Sequence, residues 1–450
     1  MQKTSSGLDE AQARMPAGRG GGAASKVRYT VIAFALTLAM LAYIQRVAIS
    51  QAAVPLSADL GLDKAEMGLI FGAFALSYAL LEIPMGALGD KFGVRRVLAP
   101  LVLLWSAFTA ITGAAWNFTS LWVIRFIFGA GEAGCFPNLT KMLSVWLPQR
   151  ERVRAQSLMW ACTRWAGAVT PPIALFVIMV VGWRNAFVVF GLLGVMWVVA
   201  FFLLYKDDPQ THPRVNEQEL ELLQGSRALA AEIPEGGWFK VVANVDVLLL
   251  VIQYAFFSFV WYFYVTWLPT YLVERWNLTL AQAAGYAVFP LLFGGFGALV
   301  SGMIPARIPR RTIALFGFVA TALLLFSVTK ATSVQAAILM MALASFCSDL
   351  TMPISWNTCV EVGRRYTATV AATMNMFSGL AGFVAPVLFG IMLKEVAGDW
   401  DPILMVMAGA ACVSAVCWLF LNPDALAAKN AAMNARGAPA DGQAASLGEP

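Results

Sequence analysis

Twelve apolar stretches, each near the length of a bilayer's hydrocarbon layer, recur along this 450-residue chain. They cover residues 29–52, 65–87, 97–116, 120–145, 156–181, 184–205, 246–272, 281–303, 311–330, 334–359, 367–393 and 401–421. Lipid offers no hydrogen-bond partner to an open backbone, so only helices or a closed barrel can cross it. Runs of about 20 residues fit helices spanning ~30 Å of hydrocarbon. They are uniformly apolar rather than alternating, which excludes barrel strands. The reading is an all-α membrane protein with twelve transmembrane helices. Composition agrees: at 59% hydrophobic and 13% charged residues, no soluble domain could hide the apolar surface.

Charge then sets the topology. Lys91, Arg95 and Arg96 lie in one loop, and Arg150, Arg152 and Arg154 in the next but one. Arg307, Arg310 and Arg311, then Arg364 and Arg365, keep the same rhythm. The intervening loops hold little beyond Lys64, Arg184, Arg275, Lys330 and Lys394. The positive-inside rule predicts that both termini are cytoplasmic, in a bacterial inner membrane. The net charge of +5 is thus a topology signal, and no soluble basic face for nucleic acid is expected.

Residues 1–27 are rich in Gly, Ala and Arg and predict a disordered cytoplasmic tail. Residues 28–205 carry six spans and 246–422 another six. Between them, 206–245 break the hydrophobic pattern as a central cytoplasmic loop, with a short amphipathic helix expected over 216–223. Residues 423–450 are small and polar and predict a second disordered tail. No signal peptide with a cleavage site is evident, so the first apolar run reads as a retained span. Two six-span halves around a central loop is the plan of many secondary transporters, which bind substrate near the bilayer midplane.

Several chemistries are excluded. The six cysteines, Cys135, Cys162, Cys347, Cys359, Cys412 and Cys417, fall within spans and lack zinc-like or redox spacing. They read as small buried hydrophobes. His212, in the central loop, is the only histidine, so no histidine relay, metal site or Ser/His/Asp set can form in the membrane. Gly129-Ala-Gly-Glu-Ala-Gly134 matches a dinucleotide fingerprint but lies inside an apolar run, where it serves helix packing. No Walker A motif occurs. The expectation is no enzyme, no cofactor and no metal.

What stands out is charge within the spans. Arg46, Arg125 and Arg164 lie in apolar runs, as do Glu82, Glu132 and Asp349. Each costs about 3 kcal/mol on insertion scales and marks a wet cavity or an ion path. Arg125 and Glu132 are seven residues apart, two turns along one helix face. They read either as a structural ion pair with neighbouring helices or as part of a site in which Glu132 binds and releases a proton.

Gly86-Ala-Leu-Gly-Asp-Lys-Phe-Gly-Val-Arg-Arg96 resembles the cytoplasmic signature of the major facilitator superfamily, G-x-L-x-D-[RK]-x-G-x-[RK]-[RK]. The resemblance implies a gating loop built on Gly86, Asp90, Gly93 and Arg95, with Asp90 meeting the facing half near the start of the eleventh span. The equivalent loop, Gly302-Met-Ile-Pro-Ala-Arg-Ile-Pro-Arg-Arg311, has lost the acid.

Tyr43-Ile-Gln-Arg46, Arg125 through Pro137 and Trp267-Leu-Pro-Thr-Tyr271 resemble the anion:cation symporter family within that superfamily. Ser355-Trp356, Met374-Asn375 and the Gly379/Gly382/Pro386 pattern agree, so the likeness covers residues 28–422. It implies a monomeric carrier of a small organic anion, a sugar acid such as galactonate, glucarate or a hexuronate, in symport with protons. Tyr43, Arg46 and Tyr78 become substrate-binding residues, with Arg46 a carboxylate or gating partner. A guanidinium suits that task because its fork matches a carboxylate. Arg125 joins them. Trp356 and Asn375 would add a stacking face and an amide from the second half.

Two departures matter. Proton-coupled relatives often carry aspartate before the first-span arginine, where this chain has Gln45. Coupling then rests on Glu132, on another acid with Asp349 foremost, or is absent. Glu82, before Ile83-Pro84, reads as a brace for the gate. Arg164 stands where relatives commonly place a neutral polar residue. It points to a substrate with a second anionic group, or to a partner for Glu132. Two alternatives stay open: a uniporter or exporter of amphipathic compounds, and a transporter-shaped sensor.

Overall fold

The computed structural model describes residues 23–62, 64–231, 237–305, 307–395 and 399–436. All of its regular structure is helical among these residues. The first half opens with α1 (Val27–Leu60), α2 (Lys64–Phe92) and α3 (Val94–Thr112). Gly61, at φ 66°, closes α1 in the left-handed region, where a residue without Cβ is favoured. The fourth span is broken into α4 (Phe118–Glu132) and α5 (Cys135–Trp146). Asn117 and Ser120 cap α4 reciprocally. α6 (Gln149–Leu204) carries the fifth and sixth spans, which turn at Gly182, φ 77°.

Helices α7 (Glu217–Ala231) and α8 (Gly237–Val242) lie in the central segment. The second half repeats the plan. A seventh span is broken into α9 (Val245–Thr266) and α10 (Leu268–Trp276). α11 (Leu280–Met303) and α12 (Arg310–Val328) follow. The tenth span is again broken, into α13 (Val334–Asp349) and α14 (Met352–Gly363). α15 (Thr367–Glu395), α16 (Asp401–Phe420) and α17 (Pro423–Arg436) complete the chain. The twelve expected spans are therefore present in two sets of six. Large exposed apolar side chains such as Phe176, Met179, Leu203, Phe316 and Phe420 coat the outside, as lipid contact requires.

The halves meet along two seams, α2 against α15 and α6 against α11. Both depend on missing side chains. A Cβ on Gly86 would stand 2.6 Å from the Ala368 carbonyl oxygen, and one on Gly302 2.7 Å from Ser157 Cβ. Such close approach gives helices in lipid their van der Waals attraction.

Two expectations about the ends need correction. Residues 423–436 are not a disordered tail but the helix α17. Its alanine content favours helix, and it is anchored: Arg310 donates from its backbone N and Nε to Asp424 at 2.8 and 2.7 Å. Buried Asn430 donates to the Glu361 carbonyl at 2.8 Å. The central helix is also longer than 216–223, running Glu217–Ala231, and its first turn is anchored by buried Glu219, which accepts from the Arg28 backbone at 3.0 Å and its Nη1 at 3.2 Å. Ser25 N donates to Asn216 Oδ1 at 2.9 Å, so Ala23–Lys26 are ordered against α7. Residues 1–22 and 437–450, the rest of the expected tails, lie outside the described residues. Both described ends and α7 thus share one side of the molecule, the terminal face.

Candidate substrate-binding site

A cavity of about 610 Å³ opens between the halves. Of the residues expected to bind substrate, Tyr43, Arg46, Tyr78, Arg164 and Asn375 line it. Trp160, Tyr254 and Trp261 give it aromatic walls.

Arg46 reaches it from α1. Its Nε and Nη2 both donate to Glu132 Oε1, at 3.0 and 2.7 Å. The guanidinium stands within about 5 Å of three ring centroids: Tyr43 at 5.2 Å, Phe74 at 5.0 Å and Tyr78 at 4.9 Å. Such a cage holds a cation by ring quadrupoles as well as by charge. Glu132 is wholly buried behind it, and its Oε2 has no hydrogen-bond partner among the described residues.

Arg164 forms the second pair. Its Nε donates to Asp349 Oδ2 at 3.1 Å and its Nη2 to Oδ1 at 2.9 Å, a fork-to-fork contact across the two halves. Trp261 covers the guanidinium at 4.5 Å. Gly294 leaves room for the Asp349 carboxylate, since a side chain there would collide with it. Each of the two cavity arginines therefore holds one of the two acids expected to carry protons. Arg164 is thereby the partner of Asp349 and not of Glu132.

Arg125 and Trp356 lie apart from the cavity. Arg125 is buried against the Phe128 ring at 4.0 Å, and its Nε and Nη1 lack hydrogen-bond partners among the described residues. It is no ion-pair partner of Glu132, although that carboxylate's field acts on it. Trp356 was expected to present a stacking face. Instead it sits fully buried behind the wall, 5.0 Å from Trp160 and donating Nε1 to Tyr254 OH at 2.9 Å. The aromatic faces toward the cavity include Trp160, Tyr254 and Trp261, of which the first two carry no distinguishing sequence signal. Gln45 is also buried, accepting from Trp105 Nε1 at 2.7 Å and donating to the Phe190 carbonyl at 2.6 Å. It ties α1 to α3 and α6.

The expected gating residues lie toward the terminal face, where the halves are joined. Asp90 accepts from Ala368 N at 3.2 Å and from Thr369 N and Oγ1 at 2.7 Å each, capping α15. A carboxylate is favourable there because the first-turn N–H groups and the helix dipole both face it. Lys141 Nζ pairs with Asp90 at 3.4 Å and donates to the Arg365 carbonyl. Arg152 and Glu361 add a buried pair at 3.7 Å. Gly93, at φ 89°, makes the turn that brings Arg95 N to Asp207 Oδ1 at 2.9 Å. Asp207 lies beyond the span. Burial pushes its carboxyl above the usual range, while Arg95 and backbone N–H groups oppose that. The cavity is thus sealed toward the terminal face and faces the opposite side.

Asp90→Asn should slow conformational turnover about tenfold while leaving substrate affinity unchanged. The amide keeps one acceptor but loses the charge shared by Lys141 and the helix end, roughly 1–2 kcal/mol, and tenfold is 1.4 kcal/mol. Calorimetric binding beside liposome uptake checks this. Lost binding in a folded variant would place the loop in the binding site rather than in the gate.

Comparisons with known proteins identify the family. Residues 35–386 match the model of the Major Facilitator Superfamily. The chain is 32% identical over 414 residues to the "Probable sulfoacetate transporter SauU" of Cupriavidus necator, covering 88% of this chain and 94% of that one. It is 27% identical over 408 residues to the "Probable L-galactonate transporter" of Escherichia coli, covering 88% and 89%. To the "Hexuronate transporter" of Bacillus subtilis it is 26% identical over 416 residues, covering 89% and 96%. Among solved structures it resembles the proton:xylose symporter XylE with a TM-score of 0.73 at 13% identity, over 89% of this chain and 98% of that one. That likeness speaks for the fold alone. Twelve spans in two halves, a cavity between them and a family match over most of the membrane part place this chain among the membrane transporters of the Major Facilitator Superfamily.

Proposed function

We propose that this transporter carries a small organic anion, with sugar acids the favoured class, in symport with protons by alternating access. The observation that carries this reading is the pairing of Arg46 with Glu132 at the cavity wall. An arriving carboxylate competes with Glu132 for the same guanidinium. Glu132, once displaced, is a buried charge without a partner, which costs several kcal/mol. A proton removes that cost, so anion and proton load together. The names of the relatives at 26–27% identity, for galactonate and hexuronate, support sugar acids. The positive loops support a cytoplasmic terminal face in a bacterial inner membrane; the cavity then faces outward, as the loading state of an importer would. One chain builds the whole cavity, which supports a monomer.

Arg164 favours a second reading, a short dianion. Its guanidinium offers a second anchor once Asp349 is displaced, and the relative at 32% identity carries sulfoacetate in its name. A thermal-shift panel of purified protein decides between them. A ligand at 100 times its Kd adds about 2.7 kcal/mol to apparent stability. Galactonate and glucuronate should shift the melting temperature, and neutral galactose should not. If only sulfoacetate and dicarboxylates shift it, and Arg164→Gln removes that shift, the dianion reading replaces the first. Uptake into liposomes should rise when the outside is acidified. Indifference to that gradient would favour the uniporter, and binding without counterflow the sensor.

A further inference from the structure

Three carboxylates lie buried in the spans around the cavity: Glu82, Glu132 and Asp349. Two hold guanidiniums. Glu82 is wholly buried and, among the described residues, forms no ion pair. Its Oε1 accepts a hydrogen bond from Asn375 Nδ2, and its Oε2 has no partner. The proposed coupling does not use it.

Its position is informative. Glu82 is on α2 and Asn375 on α15, so their bond crosses the halves. The bond sits within the seam that seals the cavity. Ala79 faces Gly379 one turn toward the cavity, and Gly86 faces Ala368 one turn toward the terminal face. Asp90 caps α15 one turn further on. Any opening toward the terminal face must part this seam and wet Glu82.

The charged neighbours are all committed elsewhere. On α1, Arg46 serves Glu132. On α4, Glu132 holds Arg46 and Arg125 lies against Phe128. On α5, Lys141 serves Asp90. From α2 and α9, Tyr78 and Tyr262 stand near as neutral phenols. α15 offers only the Asn375 amide. An ionised carboxylate sealed here would lose several kcal/mol of solvation; against that stand about 1.5–3 kcal/mol from the Asn375 hydrogen bond and smaller contributions from Arg46, whose charge Glu132 balances, and from the Tyr78 phenol. The sealed form therefore holds the neutral acid. Once wetted, an ordinary carboxyl ionises at neutral pH.

We propose that Glu82 is a proton-binding latch between the halves: a proton taken from the terminal face lets α2 close on α15, and its loss holds them apart. The proton enters and leaves on one side, so the latch adds nothing to net coupling. It sets the balance between the two conformations by the pH of that side, and it rests on the alternating-access reading above. Rising pH favours the form open at the terminal face. One proton per closure means a tenfold change in the equilibrium per pH unit above the carboxyl's ordinary range.

The test measures the distance between spin labels at Arg96→Cys and Arg307→Cys, exposed positions on the terminal face of the two halves. Cys412→Ala and Cys162→Ala remove the accessible thiols of the full chain. The ratio of parted to closed label pairs should climb tenfold per pH unit in the parent. Glu82→Gln should stay closed at every pH, and Glu82→Asp should still titrate. A Glu82→Gln protein that follows the parental curve, or a parent that ignores pH, overturns the latch. Closure by sodium chloride at high pH, absent with choline chloride, would make the ligand a metal cation and overturn its identity as a proton. If labels titrate but no variant shows counterflow, the transport reading fails while the latch stands.

Discussion

Arg46→Lys should lose on the order of 10- to 100-fold of anion uptake while remaining folded and inserted. Lysine keeps the charge, so a purely electrostatic role would survive it. What it loses is the fork. Arg46 places Nε and Nη2 on a single Glu132 oxygen, at 3.0 and 2.7 Å, while three aromatic rings surround the guanidinium. A compact ammonium cannot make both bonds and lie flat in that cage. Losing one charge-assisted hydrogen bond costs roughly 1.5–3 kcal/mol, and each 1.4 kcal/mol is tenfold. Uptake by liposomes, beside a thermal scan of the same preparation, gives the answer. Uptake at the parental rate would reduce Arg46 to a structural partner of Glu132 and remove it from the binding site.

Much of this architecture is legible in the sequence because lipid leaves few choices. Apolar length fixes the spans, and alternating arginines predict their direction. Asp90 is legible through its loop, since the turn glycine and the acid are local features. Pairing of charges is not local. Arg46 and Glu132 are 86 residues apart and Arg164 and Asp349 185, and no periodicity joins such positions. Arg125 and Glu132 share a helix face, as the spacing implied, yet each has other neighbours, because side chains seven apart do not touch. Trp356 was misread for a related reason. A tryptophan in a broken helix can face the cavity or the core, and only the neighbouring α6 and α9 decide it. The terminal helix α17 is not legible because its anchors, Asp424 and Asn430, find their partners on the distant helices α12 and α14.

Glu132→Gln should separate coupling from binding. Glutamine keeps the size and an acceptor for Arg46 but cannot ionise. In the parent, anion and ionised Glu132 compete for one guanidinium, so lowering the pH removes the competitor. Anion affinity should then improve up to tenfold per pH unit while Glu132 titrates, by linkage. In the variant the competitor is gone at every pH, and affinity should be flat. Accumulation driven by an acidic exterior should vanish. Exchange of labelled for unlabelled anion should persist, because exchange needs the anion site and the moving halves but no net proton release. Asp349→Asn is the essential comparison, since Asp349 is bound to the other cavity arginine and bridges the halves. If Glu132→Gln still concentrates substrate and Asp349→Asn does not, the proton travels with the second pair and the assignment to Glu132 fails. If neither loses accumulation but the parent follows the gradient, Glu82 becomes the remaining buried acid beside the cavity, and its protons must then cross from one face to the other.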